Sequence, residues 1–583
     1  MTRSAGCAAA AGRAAKTPTR LATRLATRFA LCCALLIVGR LAGAQTIPGS
    51  GELLQQTPHV ASPAPSSNTG LAIHEPEVAA MPDSAPFLVQ RIEISGNTVL
   101  ATPALHALVA GSEGKLSTLS QLQDLARLIT RSYRDHGYLL SRAYIPPQNI
   151  KDGVVRIAIV EARYGEVSLT NRSGVSNSVL QSLLLPLQPG QPVNEAPLER
   201  SLLLLGDVPG AVVNSTLAPG AATGASDLEV AALPGAPYSG SVTADDAGNR
   251  YTGRARLSAD MNINDPAGHA DVLNLNAMSA GSNLSYGRIG YQTFANGSGG
   301  TVGAALSGLY YHLGNGLADL EAHGTAQVES LTFMQPLIRS TAGNLFAQIA
   351  FDSRQLRDEI DVSDTQTDRG TNALALTLAG DRRESSGISN INIAATVGHL
   401  QFDDALAEAA DALSARTRGT YAKLGLSLAQ LQSLGPSDSL YVAVNAQFAS
   451  KNLDSSEQFF LGGPNSVRAY DVGTVGGAQG GLASMELRHH LTDSAAGSWT
   501  ATVFGDTGLV QVYKDTFNTE QNRATLSGAG VGLNWTGSRG WSATTALATP
   551  VGDPPVLAGH AASTRLWIEI RKSFSASAAP NGG

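Results

Sequence analysis

Two short segments hold the residues whose types and spacing point to specific chemistry. Phe459-Phe460-Leu461-Gly462-Gly463-Pro464-Asn465-Ser466-Val467-Arg468-Ala469-Tyr470 places Arg468 in a Gly-rich loop between two alternating strands. Further on, Phe504-Gly505-Asp506-Thr507-Gly508 sets a carboxylate, Asp506, inside another strand. In that strand Ala501, Val503 and Leu509 share one face, while Thr500, Thr502, Phe504, Asp506 and Gly508 share the other. An arginine at a loop tip and a carboxylate on a strand suggest a buried ion pair that pins a long loop inside something hollow. Away from water such a pair adds little net stability but fixes one loop position. The chemistry expected here is positional.

Other chemistry is sparse. The sequence has no Walker loop, no H-E-x-x-H and no G-x-S-x-G, so neither an enzyme nor a bound cofactor is expected. His489 and His490 are adjacent on a strand, which sends them to opposite faces and argues against a shared metal site.

The elements that must position Arg468 and Asp506 follow from the chain's export and composition. Residues 1–44 carry seven basic residues and no acidic ones, then an apolar run from Phe29 to Val38 and the small-residue site Ala42-Gly43-Ala44. This reads as a signal peptide, and its apolar run is too short to span a bilayer. Cys7, Cys32 and Cys33 all lie within it, so the mature chain would have no thiol chemistry or disulfide. Without the leader, 33 basic residues face 47 acidic ones, a net charge of −14. That balance, without basic clusters, argues against a nucleic-acid partner.

Gln45 to Pro86 reads as a short helix near Glu52–Gln56 followed by a Pro/Ser/Ala-rich linker. From Phe87 the pattern is globular. Phe87–Ser95 alternates like one strand; Leu122, Leu125, Ile129 and Tyr133 lie on one helical face that ends at Gly137; Tyr138–Ile145 and Val154–Glu161 read as a strand pair. The order recurs over 163–234, with Asn194 as the cap of a second helix and strands 211–217 and 227–233 joined by a turn. Two tandem α+β units are expected, residues 87–162 and 163–234.

Beyond Tyr238 the chain is strands and turns. Ala255, Leu257, Ala259, Met261 and Ile263 oppose Arg254, Arg256, Ser258, Asp260 and Asn262. Leu440, Val442, Val444, Ala446 and Phe448 oppose Tyr441, Asn445 and Gln447; Leu566, Ile568, Ile570 and Phe574 oppose Arg565, Trp567, Glu569 and Arg571. Apolar-out, polar-in alternation in an exported chain predicts a transmembrane β-barrel over 235–574, of about sixteen antiparallel strands. Asp506 then faces the lumen, with Glu486 and Arg488 among the charges that hydrate it. Arg468 sits in a connection of about 30 residues, far longer than ordinary hairpin loops and of a length that is usually functional.

Val467-Arg468-Ala469-Tyr470 resembles the Val-Arg-Gly-Tyr/Phe loop signature of the superfamily of outer-membrane polypeptide transporters and assembly insertases. Phe504-Gly505-Asp506-Thr507-Gly508 resembles that superfamily's Phe-x-Asp-x-Gly wall motif, with Phe504, Asp506 and Gly508 at its fixed positions. The resemblance implies that the loop folds back into the barrel and that Arg468 pairs with Asp506. Ala469 departs from the pattern's Gly, and Ala disfavours φ > 0.

Gly137-Tyr138 and Arg142-Ala143-Tyr144-Ile145-Pro146-Pro147-Gln148 resemble part of a polypeptide-transport-associated (POTRA) domain, the first of two. Two such domains behind a helix and a linker resemble the transporters of two-partner secretion, since assembly insertases usually carry more. This implies a Gram-negative outer-membrane protein with its POTRA domains in the periplasm and its helix in the pore. Its expected partners are one secreted adhesin- or haemolysin-like polypeptide, outer-membrane lipid, and the periplasmic chaperones and barrel-assembly machinery. A barrel-insertion factor and a diffusion porin are the alternatives. Phe574 would be the terminal aromatic, with a tail, 575–583, that makes the assembly signal internal and slows its recognition.

Overall fold

The structure, a computed structural model, describes residues 47–58, 66–73, 84–559 and 562–576. The leader, parts of the linker and residues 577–583 of the tail lie outside the described residues.

In the first unit, Arg91–Ser95 runs parallel to Val154–Val160, which pairs antiparallel with Arg142–Tyr144. Helices Thr102–Val109 and Leu119–Asp135 cover the sheet. The long helix starts where Thr118 and Gln121 form a reciprocal capping box, satisfying backbone donors that a helix start leaves open. Leu122, Ile129 and Tyr133 are fully buried against Ile157, and Gly137 takes φ 84° beyond the helix end.

Two expectations are corrected here. Phe87–Ser95 does not alternate as one strand: Val89 and Ile92 are both buried, because Gln90 and Arg91 both donate to the Gly153 carbonyl and the parity flips between them. The segment from Tyr138 to Ile145 is strand only over Arg142–Tyr144, since Tyr138–Ser141 closes a turn on the helix end.

The second unit repeats the plan. Arg163–Asn171 runs parallel to Ala225–Pro234, which pairs antiparallel with Ala211–Pro219. Helices Asn177–Leu184 and Glu195–Gly206 pack above, the second capped by Asn194 accepting from the Ala196 N–H at 3.1 Å. Part of the expected linker is also ordered: Leu71–Ile73 adds in parallel to the free edge of Ala211–Pro219.

The barrel closes with sixteen strands from Tyr238–Asp245 to Arg565–Ser575, each antiparallel to the next and the last paired with the first. Closure leaves no unpaired strand edge to face lipid, which any spanning sheet requires. The outward side carries Leu257, Val503, Leu509, Val531, Leu566 and Ile570, all exposed. Trp499, Trp535 and Trp541 gather at the periplasmic end of adjacent strands, an interfacial aromatic belt. The strand expected to include Arg254 and Ala255 begins only at Arg256, because residues 248–254 form turns at the extracellular end. Phe574 lies within the last strand.

The end of the first unit is held by one carboxylate. Glu161 is buried and accepts from the Thr98 N–H at 2.6 Å, the Val99 N–H at 2.8 Å and the Tyr133 hydroxyl at 2.8 Å. Burial alone would raise its pKa, but these donors, with the Thr98 hydroxyl, hold it below the ordinary carboxylate value. A folded-state pKa below the unfolded one gives stability above the unfolded value that is lost as pH falls through the folded one. Glu161→Gln is therefore expected to loosen residues 87–162 at pH 7 by about 1–3 kcal/mol and to flatten their loss of stability below about pH 4.5. Hydrogen exchange of the intact chain at pH 7 and pH 4 checks both effects.

Candidate functional site

The connection from Ser450 to Gln479 turns inward instead of leaving the barrel. Its stem is a two-stranded ribbon, Phe459–Leu461 with Val475–Gly477. Gly462 and Gly463 take φ 101° and 110°, and a side chain at Gly462 would strike the Asp471 carbonyl at 2.1 Å, so the turn into the tip requires glycine there. The tip folds on itself, with the Gly463 N–H donating to the Tyr470 carbonyl and the Tyr470 N–H to that of Val467.

At the tip Arg468 reaches the wall. Its Nε donates to Asp506 Oδ2 at 2.8 Å and its Nη2 to Asp506 Oδ1 at 2.7 Å, a bidentate fork. The Arg468 backbone N–H adds a third bond to Oδ2 at 3.1 Å. Nη1 goes to Glu486 Oε1 at 2.6 Å, and Arg488 holds the other oxygen of Glu486 at 2.6 Å. The guanidinium lies 3.5 Å from the centroid of the Phe504 ring. Trp567 Nε1 donates to the Arg468 carbonyl at 2.7 Å. Asp506 is 3 % exposed, so its charge is met by this arginine and not by water.

The flanking motif positions are shaped to this contact. A side chain at Gly508 would meet Leu461 at 2.6 Å, and one at Gly530 would meet the Phe504 ring at 2.5 Å. Val467 and Tyr470 are buried in the cluster that surrounds the tip. Ala469 is not among the residues with positive φ, so its methyl costs no backbone strain. That methyl fills the notch left by Gly528, whose own side chain would lie 2.5 Å away.

Pattern reading brought together Arg468, Asp506 and Phe504, but it missed the other ties on this loop. Glu457, buried, meets Arg354 and, at 2.7 Å, Lys423. Asp454 meets Arg369 at 2.8 Å, and Asp471 meets Arg565, with Arg254 at 3.2 Å. Each loop carboxylate lies across the lumen from a basic residue that lumen-facing parity would have placed there. Only the three-dimensional crossing could pair them.

The N-terminal helix, Ser50–Gln55, packs between this loop and the wall. Its first N–H donates to Asp358 at 2.7 Å, a carboxylate also held by the Tyr311 hydroxyl at 2.6 Å. Gln55 donates to the Ser455 carbonyl at 2.8 Å, and Arg256 reaches the Gln56 carbonyl at 3.0 Å. Leu53 is buried with Leu284, Leu309, Tyr311 and Leu313. Gly51 permits the closest approach, since a side chain there would lie 2.7 Å from Ser455 and from the Ser456 N–H. His489 and His490 are separate, paired with Asp438 and Asp493.

Comparison with known proteins matches this architecture. Residues 87–162 match the model of the POTRA domain, ShlB-type. The Heme/hemopexin transporter protein HuxB of Haemophilus influenzae (strain 86-028NP) is 27 % identical over 86 % of this chain and 90 % of that protein. The structure of CdiB from Escherichia coli superposes with a TM-score of 0.68 at 21 % identity, over 86 % of this chain and 93 % of that one. BamA from Haemophilus ducreyi, solved without its POTRA domains 1-3, shares the fold more loosely, at a TM-score of 0.51 and 13 % identity over 84 % of this chain and all of that one. The model of the haemolysin secretion/activation proteins ShlB/FhaC/HecB matches residues 224–535, more than half of the 583, and the chain belongs to that family of outer-membrane transporters for two-partner secretion.

Proposed function

We propose that the chain exports one unfolded partner polypeptide across the outer membrane and that its lumen is closed at rest by two removable parts. One observation carries the reading: the N-terminal helix and the folded-back loop lie inside the barrel, and beside the apolar contacts of Leu53, Val467 and Tyr470 each is tied to the wall by hydrogen bonds and ion pairs. Charged pairs in a site that can take up water exchange partners at modest cost, whereas a dry apolar plug would not. Residues 87–162 and 163–234 serve as paired POTRA domains that capture the client, and residues 235–574 form its passage. The edge of strand Ala211–Pro219 already takes an added strand, Leu71–Ile73, which supports capture of extended client segments by strand addition.

The client belongs to the adhesin- or haemolysin-like class of large exported proteins. Its progressive folding outside the cell supplies the direction, and the transporter contributes no catalytic step. Periplasmic chaperones and the barrel-assembly machinery act on the chain during its own insertion.

In this reading Arg468, within Val467–Tyr470, locks the loop to the wall motif of Phe504, Asp506 and Gly508. Removing one partner of such a buried pair costs about 3–5 kcal/mol, mostly by stranding the other charge. Cells carrying Arg468→Ala are expected to hold a folded barrel, by heat-modifiable mobility, while export of the partner falls to background. Normal export would remove Arg468 from the mechanism, and broad loss of other outer-membrane proteins would favour an insertion factor instead.

Deleting residues 50–56 tests the helix separately. Conductance in planar bilayers is expected to rise and stay high. Unchanged conductance would refute its role as a plug.

A further inference from the structure

At the extracellular end, three adjacent strands and one turn bring imidazoles and carboxylates together on the outer face of the barrel. His312 ends the strand Thr301–His312 and is the cross-strand partner of His323, which in turn is the partner of Glu359. The next pair along, Leu313 and Ala322, is joined by a backbone hydrogen bond, so His312 and His323 form the non-hydrogen-bonded type of pair, whose side chains approach most closely. Their rings stack with centroids 6.5 Å apart and planes 15° from parallel. Asp361, in the turn that follows Ile360, brings Oδ1 to 3.3 Å from His323 Nε2. One ligating atom each from His323, Glu359 and Asp361 lies within 4.8 Å of the other two.

This row stands clear of the hydrocarbon. On the same outward face the strands pass from Leu331, Phe351 and Leu374 through polar rows that end in Thr325, Arg357 and Asp368 before reaching His323. Eight residues of strand separate Leu331 from His323, roughly 27 Å along the chain. The nearby cation, Arg357, is engaged by Asp368 at 2.8 Å. Two carboxylates this close to one another favour a cation between them.

We propose that His323, Glu359 and Asp361, with His312 as the fourth ligand, form a binding site for a divalent transition-metal ion of the zinc type. Two imidazoles and two carboxylates suit zinc, whereas calcium needs six to eight oxygens and magnesium a near-ideal octahedron. At zinc–ligand distances of about 2.0–2.2 Å, the ligands of a tetrahedral ion stand ~3.4 Å apart, close to the present His323–Asp361 separation. The other atoms reach that spacing by rotation of exposed or half-exposed side chains.

Binding has a structural consequence. Tyr311 and Asp358, which hold the start of the N-terminal helix from the lumenal side, directly precede His312 and Glu359 on the same strands. A metal on the outer face therefore ties together the two hairpins whose inner faces seat that helix.

The test uses the full chain, purified in detergent without a polyhistidine tag and titrated with Zn²⁺ against a chromophoric chelator. One ion per chain is expected. Binding should be lost in His323→Ala and weakened at least tenfold in His312→Ala and Glu359→Gln, and it should persist in His489→Ala. Zn²⁺ should also slow hydrogen exchange in residues 313–322 and 360–365 of the parent chain, but not of folded His323→Ala. Failure to bind Zn²⁺, or one ion held equally well by His323→Ala, would overturn the site. In the first case His323–Asp361 is an ordinary ion pair, and in the second the ion sits elsewhere.

Discussion

A guanidinium withdrawn from water has to be met on every side, and that requirement organises the middle of this barrel. Arg468 is met by both oxygens of Asp506, by Glu486 and by the face of Phe504. Two carboxylates around one arginine would leave excess negative charge if Arg488 did not hold the far oxygen of Glu486. The arrangement specifies position more than it stabilises, because the cost of desolvating the ions cancels most of their attraction. The tip can dock at one place on the wall, and everything attached to the tip is placed with it.

The same logic continues along the loop. Asp454 and Glu457 on the way in and Asp471 on the way out each meet basic residues on the wall, so the connection is held at three levels by charge. The N-terminal helix rests on this frame through the Ser455 carbonyl and on the wall through Asp358. Lipid outside demands a closed barrel with an apolar exterior, while the lumen is free to be polar. A transporter can therefore carry its gate in charges without weakening its hold on the membrane.

Much of this was legible in the sequence, for stated reasons. Period-two alternation assigned Asp506, Trp567 and Arg565 to the lumen, because one face of each strand must suit lipid. The motif pair gave the partner of Arg468. Asn194 marked the start of its helix as a cap. Alternation failed where the backbone slips, as at Gln90, since two N–H groups sharing one carbonyl reverse parity without any change in composition. It also could not pair Asp471 with Arg565, because that contact joins a loop and a strand far apart in order. The Ala469 departure was unreadable from sequence: whether a methyl fits there depends on the notch at Gly528, which lies on another strand.

The central claim is that the loop tip sits against the wall at rest and must leave it for a client to pass. The chain's cysteines all lie in residues 1–33, so once the expected leader is removed a pair introduced as Ala469→Cys with Gly528→Cys would stand alone. Those positions need to separate by only about 1 Å to reach ordinary disulfide geometry. The account predicts that the pair oxidises readily in folded barrels, that export of the partner stops, and that a reductant restores it. Export that continues at the parent rate through fully oxidised transporter would contradict it.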